Sequence, residues 1–169
     1  MIVEATLIFA GVAALGSVIN LFMEKKKVYN TPKDSISIKK YMPGDLPVIT
    51  LTINGVALNF LIDTGSNISH ICPSAATLIE CQHIGTDNKA KVAGLGAVNQ
   101  GVTVCSAVFK DTLSKEYKVQ LSISEDLENT AKYIEESTGI KIHGLLGTDF
   151  LQDYKYVIDF KTLEVYTRN

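Results

Sequence analysis

Three large hydrophobic residues lead directly into a single carboxylate near the middle of the sequence. Residues 60–62 are Phe-Leu-Ile, Asp63 follows, and Thr64, Gly65 and Ser66 come next. A carboxylate at the end of a buried strand is costly unless it is hydrogen-bonded or shares a proton. The two hydroxyls can hydrogen-bond, and glycine allows a tight turn. Because Asp and Gly also favour ordinary turns, this stretch alone leaves a plain strand end equally open.

The residues before Asp63 have the pattern of a β-hairpin. Residues 47–53 are rich in β-branched side chains, and residues 56–62 supply a second apolar strand. Asn54-Gly55 between them is the strongest short signal for a two-residue hairpin turn. The predicted hairpin therefore delivers Asp63 at the end of its second strand.

The rest of the chain predicts many short strands and few helices. Ser124 is a suitable N-cap and Gly139 a suitable stop for one helix. Such a pattern is typical of a mainly β domain folded as a closed barrel or sandwich. The predicted strands are residues 67–71, 102–109, 117–123, 157–160 and 163–167, and the predicted helices are residues 73–81, 124–137 and 148–154.

The amino terminus predicts a membrane anchor. Residues 5–23 carry no charged side chain, and as a helix they would span about 28 Å, close to the hydrocarbon thickness of a bilayer. A cleaved signal peptide or a buried helix is the alternative. A signal peptide has a basic region before its apolar run, whereas the only charge there is Glu4. We therefore expect a transmembrane helix over residues 1–23, in contact with the membrane through residues 2–23.

Basic residues after the predicted span indicate its orientation. Lys25, Lys26 and Lys27 follow it directly, and positive flanks stay on the cytoplasmic side. Residues 24–44 read as a basic juxtamembrane linker and residues 45–169 as the folded domain. This predicts a single-pass membrane protein with a cytoplasmic domain, an extracytoplasmic domain being the alternative.

Charge and cysteine content exclude some partners. The net charge of −2 gives no case for binding nucleic acid. Three cysteines cannot all pair within one chain, and free thiols suit a reducing compartment. His70 and Cys72, with Cys81 and His83, suggest zinc, but each pair is separated by one residue where compact sites use two to four. We therefore expect buried thiols and a surface histidine in this set, and no metal; Cys105 is the third cysteine.

Two segments in this order resemble the signature of the retropepsin-like aspartic proteases. They are residues 60–66 (Phe-Leu-Ile-Asp-Thr-Gly-Ser) and residues 143–151 (His-Gly-Leu-Leu-Gly-Thr-Asp-Phe-Leu). The glycine-rich residues 94–101 fall where that family carries its flap, and the closing hairpin at residues 156–160 also fits. The resemblance covers residues 47–166 and implies a closed β-barrel with one or two short helices.

The resemblance also implies a chemistry. Aspartic proteolysis uses two carboxylates that share one proton and activate a water, with no cofactor or metal. One such turn per chain implies a homodimer to which each copy contributes Asp63. Thr64 would lock the two turns together, Gly65 would leave room for an extended peptide substrate, and Ser66 would hydrogen-bond the carboxylate. The predicted function is a membrane-anchored aspartic endopeptidase, and a catalytically silent peptide- or partner-binding dimer is the alternative.

Two further sets of residues carry roles by the same resemblance. The flap residues that would cover the substrate are Gly94, Leu95 and Gly96, and the apolar-apolar-Gly motif beside the catalytic turn is Leu145, Leu146 and Gly147. Retroviral members usually follow that motif with an arginine that braces the dimer. Thr148 occupies the position here, which leaves the strength of the dimer open.

Overall fold

The β-rich pattern of the sequence forms eleven strands and three helices in the part of the chain that the computed structural model describes, residues 34–41, 46–94 and 97–167. The fold is mainly β with few helices, as predicted. The strands are β1 (Ile36–Ser37), β2 (Lys39–Tyr41), β3 (Leu46–Ile53), β4 (Val56–Ile62), β5 (His70–Ile71), β6 (Gln82–Gly94), β7 (Ala97–Lys110), β8 (Glu116–Ile123), β9 (Gly144–Leu146), β10 (Tyr156–Asp159) and β11 (Glu164–Thr167). The helices are α1 (Pro73–Leu78), α2 (Glu125–Thr138) and α3 (Thr148–Asp153).

The hairpin of β3 and β4 is confirmed. Asn54 and Gly55 have φ angles of 50° and 80°, the positive values that a type I′ turn requires at both central positions. The register leaves these two residues as the loop. Leu58, Phe60 and Ile62 of β4 are buried, so alternation along the strand directs one face into the core.

Six strands close into a barrel. The hydrogen-bonded order runs β3-β4-β9-β5-β8-β7, and a pairing between Thr52 of β3 and Lys110 of β7 joins the two ends. β2 and β6 extend the sheet beyond the closed ring. Phe60 and Phe109 pack edge to face inside it, with ring centroids 5.3 Å apart. The predicted closed barrel is therefore present.

β1, β10 and β11 form a second sheet of three strands. The predicted closing hairpin forms as β10 and β11, and β1 pairs with the outer side of β11. Ile36 and Ile38 are buried, and Ile36 lies opposite Val165. β1 and β2, which lie within the predicted linker, therefore pair with strands of the folded part.

A buried polar chain attaches the second sheet to the barrel. Tyr156 of β10 donates its hydroxyl hydrogen to the Tyr117 hydroxyl, which donates to the carboxylate of Asp111, both at 2.7 Å. Phe150 and Tyr154 pack against the Tyr117 ring. Burial and these bonds raise the pKa of Tyr117 far above its usual value, so its hydroxyl stays a donor.

The predicted caps of α2 are confirmed. The Ser124 side chain accepts a hydrogen bond from the backbone N–H of Leu127 at 3.2 Å, and Gly139 ends the helix in the left-handed conformation with φ 72°. Only Ala131 of this helix is buried. α2 therefore covers the barrel from outside.

Three predictions fall outside the described residues: the membrane span over residues 5–23, the basic run at residues 25–27, and the flap residues Leu95 and Gly96. Among the helices of the described ranges, none is long and apolar enough to cross a membrane.

Candidate active site

Asp63 stands where β4 ends beside β9. The two strands run parallel, with Ile62 opposite Leu146 and Leu61 opposite Leu145. The backbone N–H of Asp63 continues this pairing by donating to the Leu146 carbonyl at 3.0 Å. The structure therefore brings the apolar-apolar-Gly segment against the Asp-Thr-Gly turn, although the two are about 80 residues apart in sequence.

The turn after Asp63 supports its carboxylate through the backbone. The N–H of Gly65 donates to Oδ1 of Asp63 at 2.8 Å. A Cβ at Gly65 would lie 3.1 Å from that same oxygen, so a side chain here would crowd the carboxylate. Asp63 is half-buried, whereas Thr64 and Gly65 are exposed. The carboxylate is thus held from one side while its turn faces outward.

The predicted hydrogen bond from Ser66 to the carboxylate is wrong. The Ser66 hydroxyl donates to the carbonyl of Ile68 at 2.7 Å, because the chain turns back and places a backbone acceptor two residues ahead of it. The Ser66 hydroxyl therefore stabilises the loop that follows the Asp63 turn and does not bond the carboxylate, whereas the Ser66 N–H donates to the backbone carbonyl of Asp63 at 3.3 Å.

Two glycines allow the backbone around Asp63 to pack closely. A Cβ at Gly147 would lie 2.5 Å from the carbonyl oxygen of Ile68, and a Cβ at Gly144 would lie 2.5 Å from the Phe60 ring and 2.6 Å from the carbonyl oxygen of His70. All three distances are far below van der Waals contact. Gly147 was among the predicted site residues, whereas Gly144 was not. The sequence signal that could have found Gly144 is the presence of a glycine on each side of Leu145-Leu146.

Asp149 and Ser69 form a second connection that the sequence analysis missed. Asp149 accepts hydrogen bonds from the Ser69 N–H at 2.9 Å, the Ser69 hydroxyl at 2.7 Å and the Phe150 N–H at 2.7 Å. The Ser69 hydroxyl in turn accepts from the Gly147 N–H at 3.0 Å. These bonds fasten the loop after Asp63 to the start of α3. Both oxygens of Asp149 are occupied, so it acts as a support for the site.

A histidine lies within electrostatic reach of the catalytic turn. His70 is buried in β5. Burial lowers the pKa of His70, while the charges of Asp149 and Asp63 partly oppose that shift. The imidazole is therefore neutral near pH 7.

The predicted flap region forms a long hairpin. β6 and β7 pair antiparallel along most of their length, up to Gly94 opposite Ala97. β7 extends the predicted strand at residues 102–109, and its partner β6 is irregular, with register shifts at residues 83–85 and 87–91. Contact between residues 94–96 and substrate stays a prediction.

The prediction of free thiols is wrong for two of the three cysteines. Cys81 and Cys105 form a disulfide at the base of the β6–β7 hairpin, because pairing of those strands brings their Cα atoms within 5.8 Å. A disulfide sulfur is not a zinc ligand. Cys72 is free and buried, and burial raises the pKa of its thiol to about 12. The thiol-based support for a reducing compartment therefore no longer holds.

The chain is similar to one protein-family model and to several solved structures. The family model described as aspartyl protease matches residues 49–150, more than half of the chain. No curated protein matches. Among solved structures, a retropepsin-like aspartic protease from Rickettsia conorii is 20% identical with a TM-score of 0.48, covering 78% of this chain and 89% of that one. The retroviral protease-like domain of Ddi1 from Leishmania major is 16% identical with a TM-score of 0.48, covering 73% and 89%.

A third solved structure, the EIAV protease complexed with the inhibitor HBY-793, is 19% identical with a TM-score of 0.45, covering 68% of this chain and 93% of that one. The residues matched by the family model include both the Asp63 turn and the apolar-apolar-Gly segment at residues 145–147. The chain therefore belongs to the aspartyl protease family and is an aspartic endopeptidase.

Proposed function

We propose that the endopeptidase is a homodimer in which each copy contributes Asp63 to one shared dyad. The observation that carries this proposal is the half-buried carboxylate on an exposed turn. Oδ1 of Asp63 is held by the Gly65 N–H, and Oδ2 has no hydrogen-bond partner among the described residues. A second copy would place an identical carboxylate against it. Two carboxylates in direct contact share one proton, because both cannot stay ionised.

In the proposed reaction, the ionised carboxylate takes a proton from a water molecule that attacks the peptide carbonyl carbon. The protonated carboxyl group donates its proton to the carbonyl oxygen as the tetrahedral intermediate forms. Collapse of the intermediate breaks the C–N bond. One carboxyl group of the dyad gives its proton to the leaving nitrogen, and the other carboxylate takes a proton from a hydroxyl of the intermediate, which leaves a carboxylic acid and restores the singly protonated dyad. The exposed Thr64 and Gly65 supply the surface through which the two turns would meet, and the dimer would bind an extended peptide under the flap residues Gly94, Leu95 and Gly96.

We further propose that the chain is anchored in a membrane through residues 2–23, with the protease domain on the cytoplasmic side. The uncharged run of residues 5–23 and Lys25, Lys26 and Lys27 after it support this arrangement. Confinement to one membrane raises the effective concentration of a weak dimer. Fractionation of the full-length chain against a variant lacking residues 1–23 tests the anchor: recovery of both in the soluble fraction contradicts it.

The dyad is tested by mixing wild type with Asp63→Asn. The purified full-length chains are mixed in detergent at a fixed total concentration above that needed for pairing, and cleavage of a peptide library is measured. If each dyad needs two Asp63 carboxylates, activity follows the square of the wild-type fraction, so an equal mixture retains about a quarter of the activity. A linear dependence would show that each chain acts alone.

The matched control is Asp153→Asn. Asp153 is an exposed aspartate at the end of α3, so its loss of charge leaves the dyad intact. Mixtures of wild type and Asp153→Asn should keep full activity at every ratio. Loss of activity in these mixtures would mean that mixing itself, and not the dyad, produces the decline.

A further inference from the structure

Four side chains form a row across the barrel on the face that carries Asp63. Leu61 lies opposite Leu145, Leu145 opposite His70, and His70 opposite Ser122. Cross-strand partners project to the same face of a sheet. Since side chains alternate along a strand, Leu61 shares its face with Asp63, two residues ahead. The row therefore extends sideways from the catalytic carboxylate, where a bound peptide would lie.

The two members of this row that lie farthest from Leu61, His70 and Ser122, are polar, and each has a buried atom without a hydrogen-bond partner among the described residues. His70 is 7% exposed and Ser122 is 2% exposed. Within the described ranges, His70 Nδ1 and Ser122 Oγ are enclosed and have no hydrogen-bond partner. Buried polar atoms are nearly always paired in folded proteins. We refer to His70 and Ser122 as the polar pair.

Packing alone does not explain the polar pair. The other members of the row, Leu61 and Leu145, are apolar, and an apolar residue at either polar position would avoid the cost of an unpaired buried group. Neither polar atom hydrogen-bonds to the carboxylate of Asp149 in α3. Both oxygens of Asp149 already accept hydrogen bonds, from Ser69 and from the Phe150 N–H.

The charge state of His70 restricts what it can recognise. Burial holds its pKa below the usual value in spite of Asp149 and Asp63, so the ring is neutral near pH 7. A neutral imidazole offers one N–H donor and one lone pair. Asp63 and Asp149 would repel a carboxylate brought to this row. A carboxamide carries both a donor and an acceptor without charge, and so complements the polar pair.

We propose that the polar pair makes this protease selective for a carboxamide side chain, Asn or Gln, close to the scissile bond. The proposal rests on the proposed function, because the row borders the cleft only if Asp63 acts on a peptide. In a homodimer the polar pair occurs twice, so the preference appears at one position on each side of the scissile bond. His70 is then a specificity-determining residue of the cleft.

The test uses the full-length chain in detergent and peptides that differ by one residue, Gln, Met or Glu. Met matches Gln in length without the amide, and Glu adds charge. Each of the two positions on either side of the scissile bond is varied in turn. We expect kcat/KM for Gln to exceed that for Met by about tenfold at one position on each side, with Glu below Gln.

His70→Val should reduce the Gln/Met ratio to about one while the Met peptide is still cleaved. Ser122→Ala should lower the ratio by about threefold, since it removes one of the two polar groups. The control is His83→Val, which removes an exposed histidine at the start of β6 and should leave the ratio unchanged. If His70→Val lacks the wild-type circular dichroism spectrum, Ser122→Ala decides the test.

The outcomes separate this proposal from the one it rests on. A wild type that cleaves Gln and Met peptides equally at every position, or a ratio that survives in the folded variants, overturns the role of the polar pair and leaves the protease dimer standing. A wild type that cleaves none of the peptides overturns both.

Discussion

Gly147→Ala isolates the effect of the close backbone approach that positions the catalytic turn. An ideal Cβ at this position lies 2.5 Å from the carbonyl oxygen of Ile68 and 3.0 Å from that of Ser66. Both are backbone atoms, which cannot swing aside as the end of a side chain can. Gly147 itself has φ −86°, which alanine adopts without strain. The whole effect of the substitution is therefore steric.

The magnitude follows from the contacts. Accommodating the methyl group requires the loop after Asp63 and the start of α3 to separate by roughly 1 Å, and such overpacking costs about 1–3 kcal/mol. The same movement weakens the bonds from Thr148 N–H to the Ser66 carbonyl and from Gly147 N–H to the Ser69 hydroxyl, each worth about 1 kcal/mol. We expect the free energy of unfolding to fall by about 3 kcal/mol. A displaced turn should lower kcat/KM by about 100-fold.

Urea unfolding at one fixed protein concentration and peptide cleavage measure the two effects. Gly139→Ala is the matched control: nothing lies within 4 Å of its ideal Cβ, but its φ of 72° is unfavourable for alanine. That variant should lose about 1 kcal/mol and keep its kcat/KM. If Gly147→Ala proves as stable as Gly139→Ala, with kcat/KM near that of wild type, the close approach does not hold the turn.

Three other predictions concern stability. The Cys81–Cys105 disulfide closes a loop with a sequence separation of 24, so reduction by dithiothreitol should lower the free energy of unfolding by about 3 kcal/mol, and the double serine variant should not respond to the reductant. Ser124→Ala removes the N-cap of α2 and should cost about 1 kcal/mol in urea unfolding; no loss would mean the cap is dispensable. Burial lowers the pKa of His70 and His143 below 6.5, so the unfolded chain binds more protons and stability is lost as pH falls through 6.5. Comparing urea unfolding at pH 7.5 and 5.5, His143→Gln should show a smaller difference than wild type.

Local signals in the sequence were sufficient for elements whose determinants lie within a few residues. Asn54-Gly55 predicted its turn because both residues accept positive φ, and Ser124 with Gly139 predicted the caps of α2. The Asp63 turn and the segment at residues 145–147 were recognisable because each has a specific local composition. Their adjacency followed from the resemblance alone, since nothing local in either segment encodes a parallel pairing between them.

The supports of the site could not be read from the sequence because their partners are distant along the chain. Asp149 reaches Ser69 across 80 residues, and the pairing of β1 with β11 is longer still. Ser66 was assigned to the carboxylate from its position in the motif, but the fold of the loop gave its hydroxyl a nearer acceptor at Ile68. Each miss has the same cause: the tertiary fold, and not the local sequence, decides which group a side chain or strand lies beside.

Holding the Asp63 turn in place and completing the proposed dyad depend on different residues. Gly147, Ser69 and Asp149 hold the turn from within one chain, by close backbone contact and by hydrogen bonds that use both oxygens of Asp149. Thr64 is exposed and takes no part in these contacts, and within the described ranges Oδ2 of Asp63 has no hydrogen-bond partner. A single chain can therefore fold with the Asp63 turn already in place, before a second Asp63 carboxylate is brought near it. In the proposed homodimer, pairing of two copies would add the second carboxylate with little rearrangement, and dimerisation would then control proteolysis directly.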